Sequence, residues 1–66
     1  MQVEVNGEPT QLPPEATVGT LIEQLALTGR RLAVEVNEAI VPRSQHQTFN
    51  LRDGDRVEVV QAIGGG

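Results

Sequence analysis

Cysteine and lysine are both missing from this 66-residue chain, Phe49 is its only aromatic residue, and His46 is its only histidine. Each absence excludes a kind of chemistry. Without cysteine the chain forms no disulfide and offers no thiol nucleophile or thiol redox couple of its own. A single histidine and no cysteine fall short of the roughly four ligands of a zinc site. His46 lies among polar residues and reads as a solvated loop residue. The missing lysine, set against five arginines, reads as compositional bias. No apolar stretch approaches the roughly 20 residues that span a bilayer. The residues directly after Met1 are strand-like and do not read as a signal peptide, so a cytoplasmic location is the default expectation. No glycine-rich loop joins a strand to a helix, so neither phosphate-loop nor dinucleotide-binding chemistry is indicated.

The charge that is present is mostly negative. Nine acids against five arginines give a formal net charge of −4. Backbone binding to nucleic acid needs clustered Lys and Arg, and anionic membrane surfaces attract the same residues. Neither partner is expected. The length fits one small domain over residues 1–66, and a domain of this size buries only about 60% of its unfolded surface.

Along the chain, Met1, Val3 and Val5 alternate with Gln2 and Glu4, the period of a strand with one buried face. Asn6-Gly7 then marks a tight hairpin turn, because a type I′ turn needs positive φ at both central residues. A short second strand is expected near Thr10–Leu12, ended by Pro13-Pro14. Thr17 is a candidate N-cap. Val18, Leu21, Ile22 and Leu25 follow at helical spacing on one face. Gly29 stands where a C-terminal glycine cap belongs, with Arg30 and Arg31 beside the negative end of the helix. Leu32–Val36 alternates again, Asn37-Glu38 turns, and Ala39–Val41 returns to Pro42. Arg43 to Gln47 fit one helical turn. Asp53-Gly54-Asp55 reads as a turn rather than a calcium loop, which needs more oxygen ligands. A last strand runs through Val57, Val59 and Val60, and no internal repeat or linker stands out.

One helix covering one face of a four- or five-stranded mixed sheet buries both apolar faces at once. The expected core is Val3, Val5, Leu12, Val18, Leu21, Ile22, Leu25, Val34, Val36, Ile40, Leu51, Val57 and Val59, with Phe49 capping it. Glu4, Glu35 and Glu58 take the outward parity of their strands, with apolar Val60 beside them. If the first and last strands are neighbours and the third flanks the last, these residues line one exposed sheet face. Such a face is either simply solvated or a docking surface for a basic partner.

Three bare glycines, Gly64-Gly65-Gly66, follow the last strand. On composition alone they read as a frayed end. A glycine-only tail is also sterically minimal, reaches backbone conformations closed to other residues, and delivers one reactive group, the terminal carboxylate.

The order of elements, the run Asp53-Gly54-Asp55-Arg56-Val57-Glu58-Val59-Val60, and the terminal Gly65-Gly66 together resemble the ubiquitin-like β-grasp sulfur carriers. Val5-Asn6-Gly7, Val36-Asn37, Ile40-Val41-Pro42-Arg43 and Ala62-Ile63-Gly64-Gly65-Gly66 narrow the resemblance to the ThiS family of thiamine biosynthesis, over essentially the full length. The resemblance implies an α+β, β-grasp fold and a carrier rather than an enzyme. Gly66 would bear the acyl-adenylate and then a thiocarboxylate, and Gly64 and Gly65 would give access.

The chain itself would bind no cofactor; ATP and magnesium belong to an activating enzyme related to the ubiquitin E1 class, a ThiF-like adenylyltransferase. A sulfur donor such as a cysteine desulfurase system and a ThiG-like thiazole synthase would complete the partners. The free carrier would be a monomer with a flexible 64–66 tail. Related carriers serving molybdopterin, cysteine synthesis or tRNA thiolation are the alternatives within this class. A ubiquitin-like modifier conjugated through Gly66, or a plain interaction domain, are the alternatives outside it.

Overall fold

The computed structural model describes residues 1–61. The expected tail, Gly64, Gly65 and Gly66, lies outside the described residues. Two hairpins, one helix and a final strand make up the rest: β1 (Gln2–Val5), β2 (Glu8–Gln11), α1 (Val18–Gln24), β3 (Leu32–Val36), β4 (Ala39–Val41), a 3₁₀ turn (Arg43–Gln45) and β5 (Arg56–Gln61). The five strands form one mixed sheet in the order β2-β1-β5-β3-β4. The last strand is therefore central, parallel to β1 and antiparallel to β3. A central strand exchanges hydrogen bonds on both sides, here with β1 at Arg56 and Val57 and with β3 from Val57 to Gln61.

The helix is short, and its ends show why. Thr17 is the N-cap. Its hydroxyl accepts from the Thr20 backbone N–H at 3.1 Å, and the Thr20 hydroxyl accepts from the Thr17 N–H at 3.1 Å, closing a capping box. The C-terminus corrects the sequence expectation at Gly29. The C-cap is Leu25, and Ala26 takes the left-handed conformation with φ 60°. The Leu27 N–H reaches the Ile22 carbonyl and the Ala26 N–H reaches the Glu23 carbonyl, both at 3.0 Å. This is a Schellman motif with alanine in the place that glycine usually fills. Arg30 and Arg31 stand well past this end, and no basic residue lies in the last turn, so they do not serve the helix dipole.

The two hairpins also differ in their turn chemistry. Asn6 (φ 50°) and Gly7 (φ 86°) satisfy a type I′ turn cheaply, whereas Asn37 (φ 50°) is followed by Glu38 at φ 71°. A left-handed side-chain-bearing residue costs about 1–2 kcal/mol, while a glycine adds about 0.4–1 kcal/mol of unfolded-chain entropy. The strain exceeds the entropy, so Ala26→Gly and Glu38→Gly are each expected to stabilise the domain by about 0.5–1 kcal/mol. Thermal unfolding followed by circular dichroism should show each melting temperature raised by roughly 2–6 °C.

The core lies between α1 and one face of the sheet. Val3, Val5, Leu12, Val18, Leu21, Ile22, Val34, Val36, Leu51, Val57 and Val59 are buried as expected. Leu25 and Phe49 are half-buried and pack against its edge. Ala16 and Val41 join the core, although the sequence did not single them out. Ile40 is a correction: it is 74% exposed. The two-residue turn at Asn37-Glu38 pairs Val36 with Ala39, Glu35 with Ile40 and Val34 with Val41. A slip of one position flips a strand's faces, and this register turns Ile40 outward and Val41 inward.

His46 is a second correction. It is only 7% exposed, and its Nε2 lies 3.1 Å from the Val41 carbonyl oxygen. The carbonyl can only accept, so the Nε2–H donates. The ring closes the interior beneath the end of β4 instead of sitting in a solvated loop.

Candidate functional site

The outer face of the sheet is built by strand parity. Along β5, Arg56, Glu58 and Val60 point away from α1, alternating with buried Val57 and Val59. On β3, Glu35 stands directly opposite Glu58 and Ala33 opposite Val60. On β4, Ile40 stands opposite Glu35. On β1, Glu4 stands opposite Arg56, and the Arg56 Nε lies 3.6 Å from a Glu4 carboxylate oxygen. The structure thus brings Glu4, Glu35, Glu58 and Val60 onto one face and adds Ile40, which the sequence pattern assigns to the core. The signal that could have found it was the two-residue turn, which fixes the register of the second hairpin.

The electrostatics of this face are unbalanced. Glu35 and Glu58 are a like-charge pair directly across two strands, an arrangement that destabilises a sheet. The Glu4–Arg56 contact is exposed on both sides and contributes little stability. Glu4, Asn6, Asn37, Glu38, Arg56 and Glu58 line an open recess at the start of β5. Val60, 60% exposed, and Ile40 are the exposed large apolar residues of the described chain. Two aliphatic side chains among carboxylates make a surface with apolar anchors and an acidic surround.

Among the described residues, the last cross-strand pair of this face is Leu32 with Gln61. Beside Leu32, a second open pocket is lined by Ile22, Glu23, Arg30, Arg43 and His46 among others. At its other end β5 is set by the Asp53–Asp55 turn. Asp53 accepts from the Gln2 N–H at 2.8 Å and Asp55 from the Arg52 N–H at 2.8 Å. These acids serve the turn, as the sequence indicated. Among the described residues, no group of three or more His, Cys, Asp or Glu side chains is placed to hold a metal ion, and no helix is long and apolar enough to cross a membrane.

A five-stranded mixed sheet grasping a single helix, with its last strand central and running toward the C-terminus, defines a β-grasp domain. Residues 3–66 match the ThiS family, and the chain belongs to that family. Over all 66 residues it is 36% identical to the sulfur carrier protein ThiS of Escherichia coli, covering the whole of both chains. It is 39% identical, again over all 66 residues, to a protein of Paramagnetospirillum magneticum named thiazole synthase, of which it spans only 20%. The crystal structure of the thiamine biosynthesis protein ThiS from Geobacter metallireducens superposes with a TM-score of 0.83 at 29% identity, covering 100% of each chain.

Proposed function

We propose that this chain carries sulfur for building the thiazole ring of thiamine, with Gly66 as the point of attachment. The observation that carries the proposal is kinship to a sulfur carrier protein over all 66 residues, Gly64-Gly65-Gly66 included. A free α-carboxyl has a pKa of about 3.3–3.7 and is an anion at neutral pH. Attack on an anion piles charge on charge, so the carboxylate must first become an electrophile. An E1-like, ThiF-like activating enzyme with ATP and magnesium would convert it to an acyl-adenylate and release pyrophosphate. The terminal sulfur of a persulfide from a desulfurase system would then displace AMP to give an acyl persulfide, and a thiol would cleave its S–S bond, leaving a thiocarboxylate and a disulfide. Three extended residues reach about 10 Å, enough to bring that group into a partner's cleft while the domain stays outside.

Kinship to one-fifth of a protein named thiazole synthase supports that enzyme as the acceptor. A carrier-like segment within the acceptor's own chain is held at high effective concentration, which is the arrangement selection would favour between a donor and its acceptor. The chain itself is a carrier and not a catalyst, since its part is to present one group to the active sites of others.

The test is intact mass. Incubation with the activating enzyme of the same organism, ATP and a sulfur donor is expected to add about 16 Da, one oxygen exchanged for sulfur at the activated acyl group. A chain that gains nothing under these conditions is not a carrier of this kind.

The outer sheet face is the proposed docking surface, with Val60 and Ile40 as apolar anchors and Glu4, Glu35 and Glu58 facing a basic partner. Complementary charge at a rim speeds association and is weakened by salt. Glu58→Arg separates function from stability. It converts the Glu35–Glu58 repulsion into an ion pair and is expected to stabilise the fold by about 0.5 kcal/mol. At low salt it should weaken binding to the activating enzyme, with the difference shrinking as salt rises. Unchanged affinity in a stabler variant would remove this face from the docking surface.

A further inference from the structure

Beyond Val5 the β1 strand turns away at Asn6-Gly7, so its backbone pairing with β5 ends at Val5 opposite Val57. The strand that leads to the tail would lose its support on that side, but a side chain replaces it. The Asn6 Nδ2 donates to the Val59 carbonyl at 3.1 Å, and the Val59 N–H donates to the Asn6 Oδ1 at 2.9 Å. A carboxamide carries one donor and one acceptor in the geometry of a peptide group, so Asn6 adds one more rung to the ladder without adding a strand. The Asn6 backbone N–H contributes a further bond to the Val57 carbonyl at 2.9 Å. Past Val59, β5 is held on the β3 side through the pairs of Val60 with Ala33 and Gln61 with Leu32.

The protein contains its own control. Val3-Glu4-Val5-Asn6 and Val34-Glu35-Val36-Asn37 are the same four residues ending β1 and β3. Both asparagines have φ 50°. Asn37 holds the opposite end of the same strand: its Oδ1 accepts from the Arg56 N–H at 3.0 Å and its Nδ2 donates to Asp55 at 3.0 Å. One asparagine fixes where β5 begins and the other fixes the last point at which both its flanks are bonded.

We propose that Asn6 is a positioning residue for delivery of the C-terminal group, fixing the direction in which β5 leaves the sheet by bonding its second flank at Val59. The inference rests on the carrier reading. A strand end bonded on one flank only pivots about its β3 pairs, which spreads the reacting carboxyl over a larger volume and lowers its effective concentration in a partner's cleft. Loss of the Asn6 rung leaves β5 bonded on one side only from Val59 onward. The outer face carrying Glu58 and Val60 keeps its β3 pairing, so docking is unaffected.

The experiment compares Asn6→Gly with Asn37→Gly in the full chain. Glycine accepts the positive φ at both turns, so each variant loses the side-chain bonds without adding strain. Thiocarboxylate formation is followed by intact mass against carrier concentration, and amide exchange at Val59 reports the clamp itself. Asn6→Gly is expected to lower the saturating rate about three- to tenfold with KM unchanged, and to speed Val59 exchange. Asn37→Gly, with a comparable loss of side-chain bonds but a place in the recess of the docking face, is expected to show its effect in KM, with the saturating rate near wild type. Asn6→Asp keeps the acceptor for the Val59 N–H and should recover part of the rate. Equal effects of the two glycine variants, an effect of Asn6→Gly on KM alone, or no effect would overturn the inference. A wild-type chain that gains no mass overturns the carrier reading itself, whereas a wild type that gains and an Asn6→Gly that keeps pace overturns this inference alone.

Discussion

Removing Gly66 is expected to abolish the sulfur-dependent mass gain, by a factor of at least about 100, while the melting temperature stays at the wild-type value. The shortened chain still ends in a glycine carboxylate, so the chemistry of the group is unchanged. Only its position moves, by the length of one residue, about 3.3–3.6 Å. Reacting atoms must approach within about 3–3.5 Å to react, and the domain cannot slide forward to make up the difference. In the proposed docking its outer sheet face meets the partner, and β5 is paired to Leu32 as far as Gln61. The melting temperature should hold because the deletion removes no side chain, and among the described residues the last buried one is Val59. Gly66→Ala keeps the length and adds a methyl group, so a partial loss there beside a complete loss in the deletion would separate reach from steric fit. A shortened chain that gained mass at the normal rate would move the reacting carboxyl away from Gly66.

The strands and the turns were legible because their signals are local. Val-Glu-Val occurs at the end of β1, within β3 and within β5, and in each the valines are buried. Parity alone placed Glu4, Glu35 and Glu58 on the opposite face, and the sheet order put those strands side by side. Ile40 was misplaced because three apolar residues in a row, Ala39-Ile40-Val41, carry no alternation. Their facing is set by the turn register instead. His46 was misplaced because its surroundings in sequence are polar, and nothing local reveals that the end of β4 presents a carbonyl for it to meet. The helix end was misplaced because glycine is the usual left-handed cap and Gly29 was available. The hydrogen bonds close earlier, at Ala26, where the chain must turn to bring half-buried Leu27 against the core. The role of Asn6 was half legible: its turn is written in Asn-Gly, but its bonds to Val59 span 53 residues.

These same distinctions set the largest expected loss of stability. Leu21 and Ile40 both read as core from the sequence, and the structure separates them: Leu21 is 0% exposed and Ile40 74%. Leu21 lies on a helix of only 7 residues, too short to persist without tertiary packing. Truncating a buried leucine costs the transfer of the lost atoms plus the cavity left behind, about 2–5 kcal/mol. A domain of this size has a total stability of about 3–10 kcal/mol, and no disulfide or metal ligand set among the described residues supplements it. Leu21→Ala is therefore expected to lower the melting temperature by roughly 10–25 °C or to leave the chain largely unfolded at 37 °C. Ile40→Ala is expected to change it by no more than an ordinary surface substitution does, about 0.5 kcal/mol. If the outer face docks as proposed, its effect should appear instead as weaker binding to the activating enzyme, since it removes one of the two proposed apolar anchors. Thermal melts of the two variants beside binding measurements decide the matter. An Ile40→Ala chain as unstable as Leu21→Ala would mean that the second hairpin pairs one residue out of register, with Ile40 inside and Val41 outside.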